Sequence, residues 1–398
     1  MLGTALPDSD PRPREAATTL PVYGQLPFVP ERAAGCDIIT ADGRRILDLY
    51  GGHAVAALGY GHPALINAIT EQSSRLLFQS NAVALEVRAR AAEKLTGVAP
   101  GNLERAFFVN SGAEANENAL RMACVVTQRS KVLAITHGFH GRTAAAGAVT
   151  WNSHKWYGFP QLPFDVDFIP RDDCAAAERM IDRDIAAVIF EPVQGVAGAY
   201  DLSHAFVTTL RDCARRNGVL LIADEVQSGM GRSGYFFAVQ AHDVEPDILT
   251  SAKSLGGGIP CGAVLCSNDV APHFGPGDLG TTFGGGPVAA AAINAVIDTI
   301  EADSLLQNAR DREAQIRRQC IKGPVQKVQG RGLLLGLVCD RPAIEVRDAL
   351  LDHDILTGTS GDPNVLRILA PLVLQPEHVD RLTEALESIP PGPTKDPQ

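Results

Sequence analysis

The sequence predicts an α/β protein, with a mainly parallel sheet covered by helices on both faces and a smaller α+β region after it. Three observations predict this. Short continuous apolar runs recur through the middle of the chain, at Ala106–Val109, Val132–Ile135, Ala186–Phe190, Val219–Ala223, Ile248–Thr250 and Ala263–Cys266. Strands apolar on both faces belong to a sheet buried on both sides. Between them lie segments such as Glu114–Val126 and Ser203–Asn217, whose apolar residues recur at helical spacing. After Gly286 the pattern changes. An Ala-rich helix over Pro287–Glu301 is followed by a second helix to about Cys320 and an extended run near Val325–Val338. A helix near Ala343–His353, a strand at Val365–Leu369 and a last helix over Glu377–Glu387 complete the chain. The expected division is an N-terminal segment, 1–49, packing with the small domain, a large domain, 50–290, and a small C-terminal domain, 291–398.

Composition bounds the function class. The chain has 398 residues, 45% hydrophobic and 20% charged, which suits a soluble globular protein with one large core and a second, smaller one. A formal net charge of -11 argues against a nucleic-acid surface. The eight cysteines form no CxxC and no Cys/His cluster with zinc spacing, so buried thiols in a reducing compartment are expected, and no metal. The start, MLGTALPDSDPRPREAA, lacks the basic and apolar stretches of a secretory signal, and no apolar run reaches membrane-span length. A cytoplasmic protein without membrane contact is expected. Residues 1–20 and the tail from Pro390 are polar and Pro-rich, and are expected to be mobile or draped over the surface.

In a parallel sheet, ligands sit beyond the carboxyl ends of the strands, and the chemically distinctive residues fall there. In AFFVNSGAEANENAL a strand ends at Asn110, a Ser-Gly turn follows, and a helix begins near Ala113. Ser111 and Glu114 fit a capping box, and the free amides of such a helix start attract anions. Alone, this is equally an ordinary helix cap. In VLLIADEVQSGMGRSG an apolar strand delivers Asp224, followed by Glu225 and Gln227. A carboxylate there needs a cation or a strong donor, such as a protonated pyridine nitrogen.

In EPDILTSAKSLGGGIPCGAVL, Lys253 follows a further apolar strand, with room for one helix and one strand between it and Asp224. Partial burial between strand ends lowers an amine's pKa and favours imine chemistry. A lone lysine would be read as a solvated surface group; the ordered set of three elements is what singles this one out. HGFHGRT adds Phe139, able to stack on an aromatic cofactor, and Arg142, able to grip a carboxylate. LGTTFGGGP sets two threonine hydroxyls beside three glycines, suiting a phosphate contact.

In these motifs the chain resembles the class III aminotransferases of fold type I, in particular the acetylornithine and ornithine aminotransferase group. SGAEANE, FHGRT, EPVQG, DEVQSGMGRSG, SAKSLGGG and GTTFGGGP stand in the family's order over about residues 20–388. The resemblance implies a mainly parallel seven-stranded sheet, pyridoxal 5'-phosphate as cofactor, and Lys253 as the Schiff-base lysine and proton shuttle. It implies Asp224 at the pyridine nitrogen, Gln227 by the ring hydroxyl, and Phe139 stacked on the ring. Ser111, Gly112 and Ala113 would bind phosphate, with Thr282 reaching it from a partner subunit, and Glu191 would complete the cofactor site. Arg142 would hold a substrate carboxylate and Arg367 the acceptor's α-carboxylate. The implied reaction takes a terminal amino group from an N-acetylornithine-like donor (ornithine and acetyl-lysine being similar) to 2-oxoglutarate, in a homodimer with shared sites. Arginine biosynthesis is the implied setting.

Two departures stand out. The family's EPxQGE is EPVQGV here, placing Val196 where relatives carry the glutamate that masks the small-domain arginine, and GGNP is GGGP, with Gly286 for Asn. The first puts the substrate in question; the second concerns local packing. No GxGxxG follows the first strand of a βαβ unit, and GxxxxGK[ST], GxSxG and HExxH are missing. The alternatives are therefore other class III outcomes: ω-amine or 4-aminobutyrate transamination, decarboxylating transamination or racemisation. A non-enzymatic protein of the same fold would not need Lys253, Asp224 and Arg142 together.

Overall fold

A computed structural model describes residues 10–392. Its centre is a seven-stranded sheet in the order Arg105–Val109, Gly262–Cys266, Ile248–Ser251, Leu220–Asp224, Ile185–Phe190, Lys131–Ile135, Asp165–Ile169. The strand Gly262–Cys266 runs antiparallel to both neighbours, while the other pairings are parallel. The connection 252–261 explains the reversal. It is tightened by a turn of 3₁₀ helix at Lys253–Gly256 and is too short for the helical crossover that a parallel return requires. The architecture is the α/β fold of the expectation. Strands Ile185–Phe190 and Ile248–Ser251 are buried at every position, which is why their sequences read as unbroken apolar or small-residue runs.

The strand that sequence patterning passed over is Asp165–Ile169. It lies at the sheet edge, and its alternating DVDFI shows one face to solvent, so it lacks the continuous apolar signature. The extended run near Val325–Val338 resolves into a hairpin, Val325–Arg331 and Leu334–Cys339, paired further with Val365–Ile368. Its turn needs Gly332, at φ 58°, where a Cβ would stand 2.4 Å from the Arg232 carbonyl oxygen. Between Asp224 and Lys253 the expected helix is only the short 3₁₀ segment Ala238–His242. The strand Ile248–Ser251 follows it.

Near the N-terminus, Asp37–Thr40 and Arg45–Asp48 form a sheet with Pro30–Ala34, and Ile355–Leu356 joins it beside Arg45–Asp48. Residues 11–18, read only as a Pro-rich end, form an exposed helix capped by Asp10, whose side chain accepts from the Arg12 amide. The expectations for residues 1–9 and 393–398 lie outside the described residues. No helix among the described residues is long and apolar enough to cross a membrane. Nor do they contain a group of three or more metal-ligating side chains. All eight thiols are free; Cys124 and Cys174 are half-buried and the others buried.

Candidate active site

The carboxyl ends of the strands at Val109, Phe190, Asp224 and Ser251 open on one cavity of about 520 Å³. Ser111, Gly112, Ala113, Phe139, Arg142, Glu191, Val196, Asp224, Gln227 and Lys253 all line it. Arg367 stands just behind that lining, and Thr282 lies outside it, on an exposed loop.

The helix Gly112–Thr127 begins at the cavity wall. Ser111 Oγ accepts from the Glu114 amide at 3.1 Å. The reciprocal half of the expected capping box is displaced by one residue: the Glu114 carboxylate accepts from the Asn110 amide at 2.8 Å, and not from that of Ser111. The amides of Gly112 and Ala113, first in the helix, have no intrahelical acceptor and remain open on the cavity side. Glycine is required at 112, because a Cβ would stand 2.5 Å from Val226 Cγ1.

Asp224 is buried and fully oriented. Its Oδ2 accepts from Asn116 Nδ2 at 2.7 Å and meets His140 Nδ1 at 2.7 Å. Among the described residues its Oδ1 accepts only the Val226 amide, at 3.0 Å, which leaves that oxygen capacity on the cavity side. Asn116 is itself fixed, donating to the His140 carbonyl oxygen and accepting from Thr250 Oγ1, both at 2.7 Å. Glu225, next in sequence, turns away from the cavity to the Val239 amide, and burial pushes its carboxyl up to about 7. Glu191 accepts from the Phe139 amide at 2.8 Å and the Gly195 amide at 3.3 Å, so it fixes the 139–142 loop as well as facing the cavity. Burial raises it, too, to about 7.

Lys253 occupies the left-handed region at φ 47°, unusual for a residue with a side chain. Burial depresses its amine below the ordinary lysine range; Asp224 and Glu191 oppose that shift and Arg367 adds to it. Among the described residues no hydrogen bond or ion pair holds its Nζ. Gln227 Oε1 is likewise buried without a partner. A Cβ at Gly195 would sit 1.7 Å from that oxygen, so glycine there gives Gln227 its place. Arg142 is exposed at the rim, its guanidinium 4.8 Å from the Trp156 ring centroid. The run Gly229–Gly234 spells GxGxxG but forms consecutive turns that open no helix, and buried Arg232 fills it.

Three groups that sequence reasoning missed complete the cavity lining, His140, Asn116 and Val226, and a fourth, Tyr50, lies outside that lining and accepts from Arg367 Nη2 at 2.8 Å. His140 stood inside a motif read for its neighbours Phe139 and Arg142. Asn116 lies one turn into the helix, a position without a motif signal of its own.

The family model for class-III aminotransferases matches residues 20–389. The chain is 40% identical to the acetylornithine aminotransferase of Corynebacterium efficiens over 93% of this chain and 94% of that one. It is also 40% identical to the acetylornithine aminotransferase of Methanopyrus kandleri, over 90% and 93%. Among solved structures, the ornithine aminotransferase of Toxoplasma gondii superposes with a TM-score of 0.88 at 27% identity, covering 94% of this chain and 93% of that one. The acetylornithine aminotransferase of Elizabethkingia anophelis gives 0.85 at 28%, covering 94% and 97%.

Proposed function

The chain belongs to the class-III aminotransferases, and from that premise we propose that it moves the terminal amino group of an N-acetylornithine-like donor to 2-oxoglutarate, releasing a semialdehyde and glutamate. The observation that carries the reading is the unpaired, desolvated amine of Lys253 in the same cavity as the oriented carboxylate of Asp224.

The enzyme is pyridoxal-phosphate dependent, and the groups left open in the cavity fit that cofactor. The Gly112 and Ala113 amides, with Ser111, would hold its phosphate, and Thr282 of a second copy would reach the same group across a homodimer. Exposed Phe283 and Phe78, in contact with each other beside Thr282, support an apolar subunit contact at that face. The orphaned Gln227 Oε1 would meet the ring hydroxyl, and Phe139 would cover the ring. Bound there, the cofactor supplies a carbonyl carbon for the amino group and a ring that accepts electrons. Lys253 would hold that carbonyl at rest and, once freed, move the proton at the substrate carbon bearing nitrogen. Asp224, steadied by His140 and Asn116, would keep the ring nitrogen protonated. Glu191, through the Phe139 amide, would fix the loop carrying Arg142, whose guanidinium would take a substrate carboxylate.

A panel of amine donors with 2-oxoglutarate, read as glutamate formed, tests the proposal. N-acetylornithine is expected to give the highest kcat/KM; glutamate formation from none of the terminal-amine donors would overturn it.

Val196 favours a second reading of donor choice. Arg367 Nη1 lies 3.5 Å from the Gly195 carbonyl oxygen, so residue 196 adjoins the guanidinium, yet it brings no carboxylate to neutralise it. An uncancelled cation accepts any α-carboxylate, which admits α-amino or dicarboxylate donors. Val196→Glu is expected to raise the kcat/KM ratio of N-acetylornithine over glutamate by roughly tenfold, the scale of one charge-assisted contact. An unchanged ratio, with fold and cofactor content intact, would mean that residue 196 does not act on Arg367.

A further inference from the structure

We propose that Tyr50, oriented by His53, is a specificity-determining latch on Arg367: a neutral acceptor that a substrate α-carboxylate must displace. The inference rests on the reading of Arg367 as a carboxylate anchor.

The buried guanidinium has no carboxylate partner among the described residues. Its Nε donates to the Thr359 carbonyl oxygen at 2.7 Å, its Nη1 reaches the Gly195 carbonyl oxygen at 3.5 Å, and its Nη2 donates to Tyr50 Oη at 2.8 Å. The guanidinium carbon also lies 5.5 Å from the Tyr50 ring centroid. Tyr50 is thus its strongest contact on the Nη side, and a neutral one.

Three features show that this contact is built. First, the phenol has a place made for it: a Cβ at Gly358 would stand 1.9 Å from Tyr50 Cε2. Second, the phenol is held from its other side as well, with Tyr50 Oη 3.0 Å from His53 Nδ1. Because Arg367 Nη2 donates to Tyr50 Oη at 2.8 Å, the phenol oxygen takes up a donor that an incoming carboxylate would use, so it competes with that carboxylate rather than assisting it. Third, the backbone that joins Tyr50 to His53 is strained. Gly51, Gly52, His53 and Ala54 are all left-handed, at φ 56°, 57°, 65° and 67°, and the last two carry side chains.

That run is pinned at both ends. Asp48 Oδ1 accepts from the Tyr50 and Gly51 amides at 2.7 and 2.9 Å, and Ser254 Oγ, beside Lys253, donates to the Ala54 carbonyl oxygen at 2.7 Å. The latch and the catalytic lysine therefore share one support.

A neutral latch acts differently from a carboxylate mask. It occupies one donor of Arg367 without cancelling the charge, so it lowers affinity for an α-carboxylate by a modest factor and leaves the site open to it. Tyr50→Phe keeps the ring in its slot and removes only the competing oxygen.

The test is calorimetric binding of glutarate, a dicarboxylate without a reacting group, to the cofactor-loaded protein. Tyr50→Phe is expected to tighten glutarate by roughly three- to tenfold, the worth of one net hydrogen bond. In an Arg367→Ala background the same change is expected to have no effect, because the coupling partner is gone. Unchanged or weaker glutarate binding in Tyr50→Phe would overturn the latch, as would equal tightening in the Arg367→Ala background. Tightening that depends on Arg367, in a protein that transfers no amino group, would count against the proposed reaction and leave the latch standing.

Discussion

Lys253→Ala is expected to lower kcat/KM on the order of 10⁴-fold at saturating cofactor, the upper range of what a positioned proton-transfer group contributes. The side chain is buried, its amine lies below the ordinary lysine range through desolvation, and among the described residues no hydrogen bond holds it. A desolvated and unpaired amine contributes nothing favourable to folding, so the cofactor-free variant should melt no lower than the parent. Its left-handed backbone, at φ 47°, points the same way: strain at a residue with a side chain persists where function requires it. Kinetics and thermal denaturation on the same preparation separate the two effects. Near-normal turnover in a folded Lys253→Ala protein would remove the assignment of this lysine.

Asp224→Asn is expected to retain cofactor and lose activity by about 10²–10³-fold, the scale of removing one preorganised electrostatic contact. The amide oxygen can still accept from Asn116 or Val226, so the pocket should keep its shape. What it lacks is the charge that holds a proton on the ring nitrogen. Visible absorbance reports the bound cofactor, and kcat at saturation reports the loss. Normal turnover would reduce Asp224 to a structural partner of His140.

Much of this was legible in the chain because the sheet is buried on both faces. Ile185–Phe190 and Leu220–Asp224 announce themselves by continuous apolar sequence, and the residues at their ends fall into one cavity by the geometry of parallel strands. Asp165–Ile169 did not announce itself, since an edge strand shows only alternation. The capping residue Glu114 was legible as a cap, but its bond to Asn110 in place of Ser111 depends on how the strand enters the turn. The groups that orient the site were the hardest to read. Asn116 meets Asp224, and Tyr50 meets Arg367, across long stretches of sequence, and neither pairing has a local pattern. His140 was hidden differently, inside a motif whose neighbours had more obvious uses.

The central claim is that nitrogen passes from a terminal amine to 2-oxoglutarate. It is tested most directly by incubating the cofactor-loaded protein with N-acetylornithine labelled with heavy nitrogen at its terminal amine, together with unlabelled 2-oxoglutarate. Mass spectrometry is expected to find the label in glutamate, with the semialdehyde formed in equal amount. Labelled ammonia or a decarboxylated product in place of labelled glutamate would contradict the account.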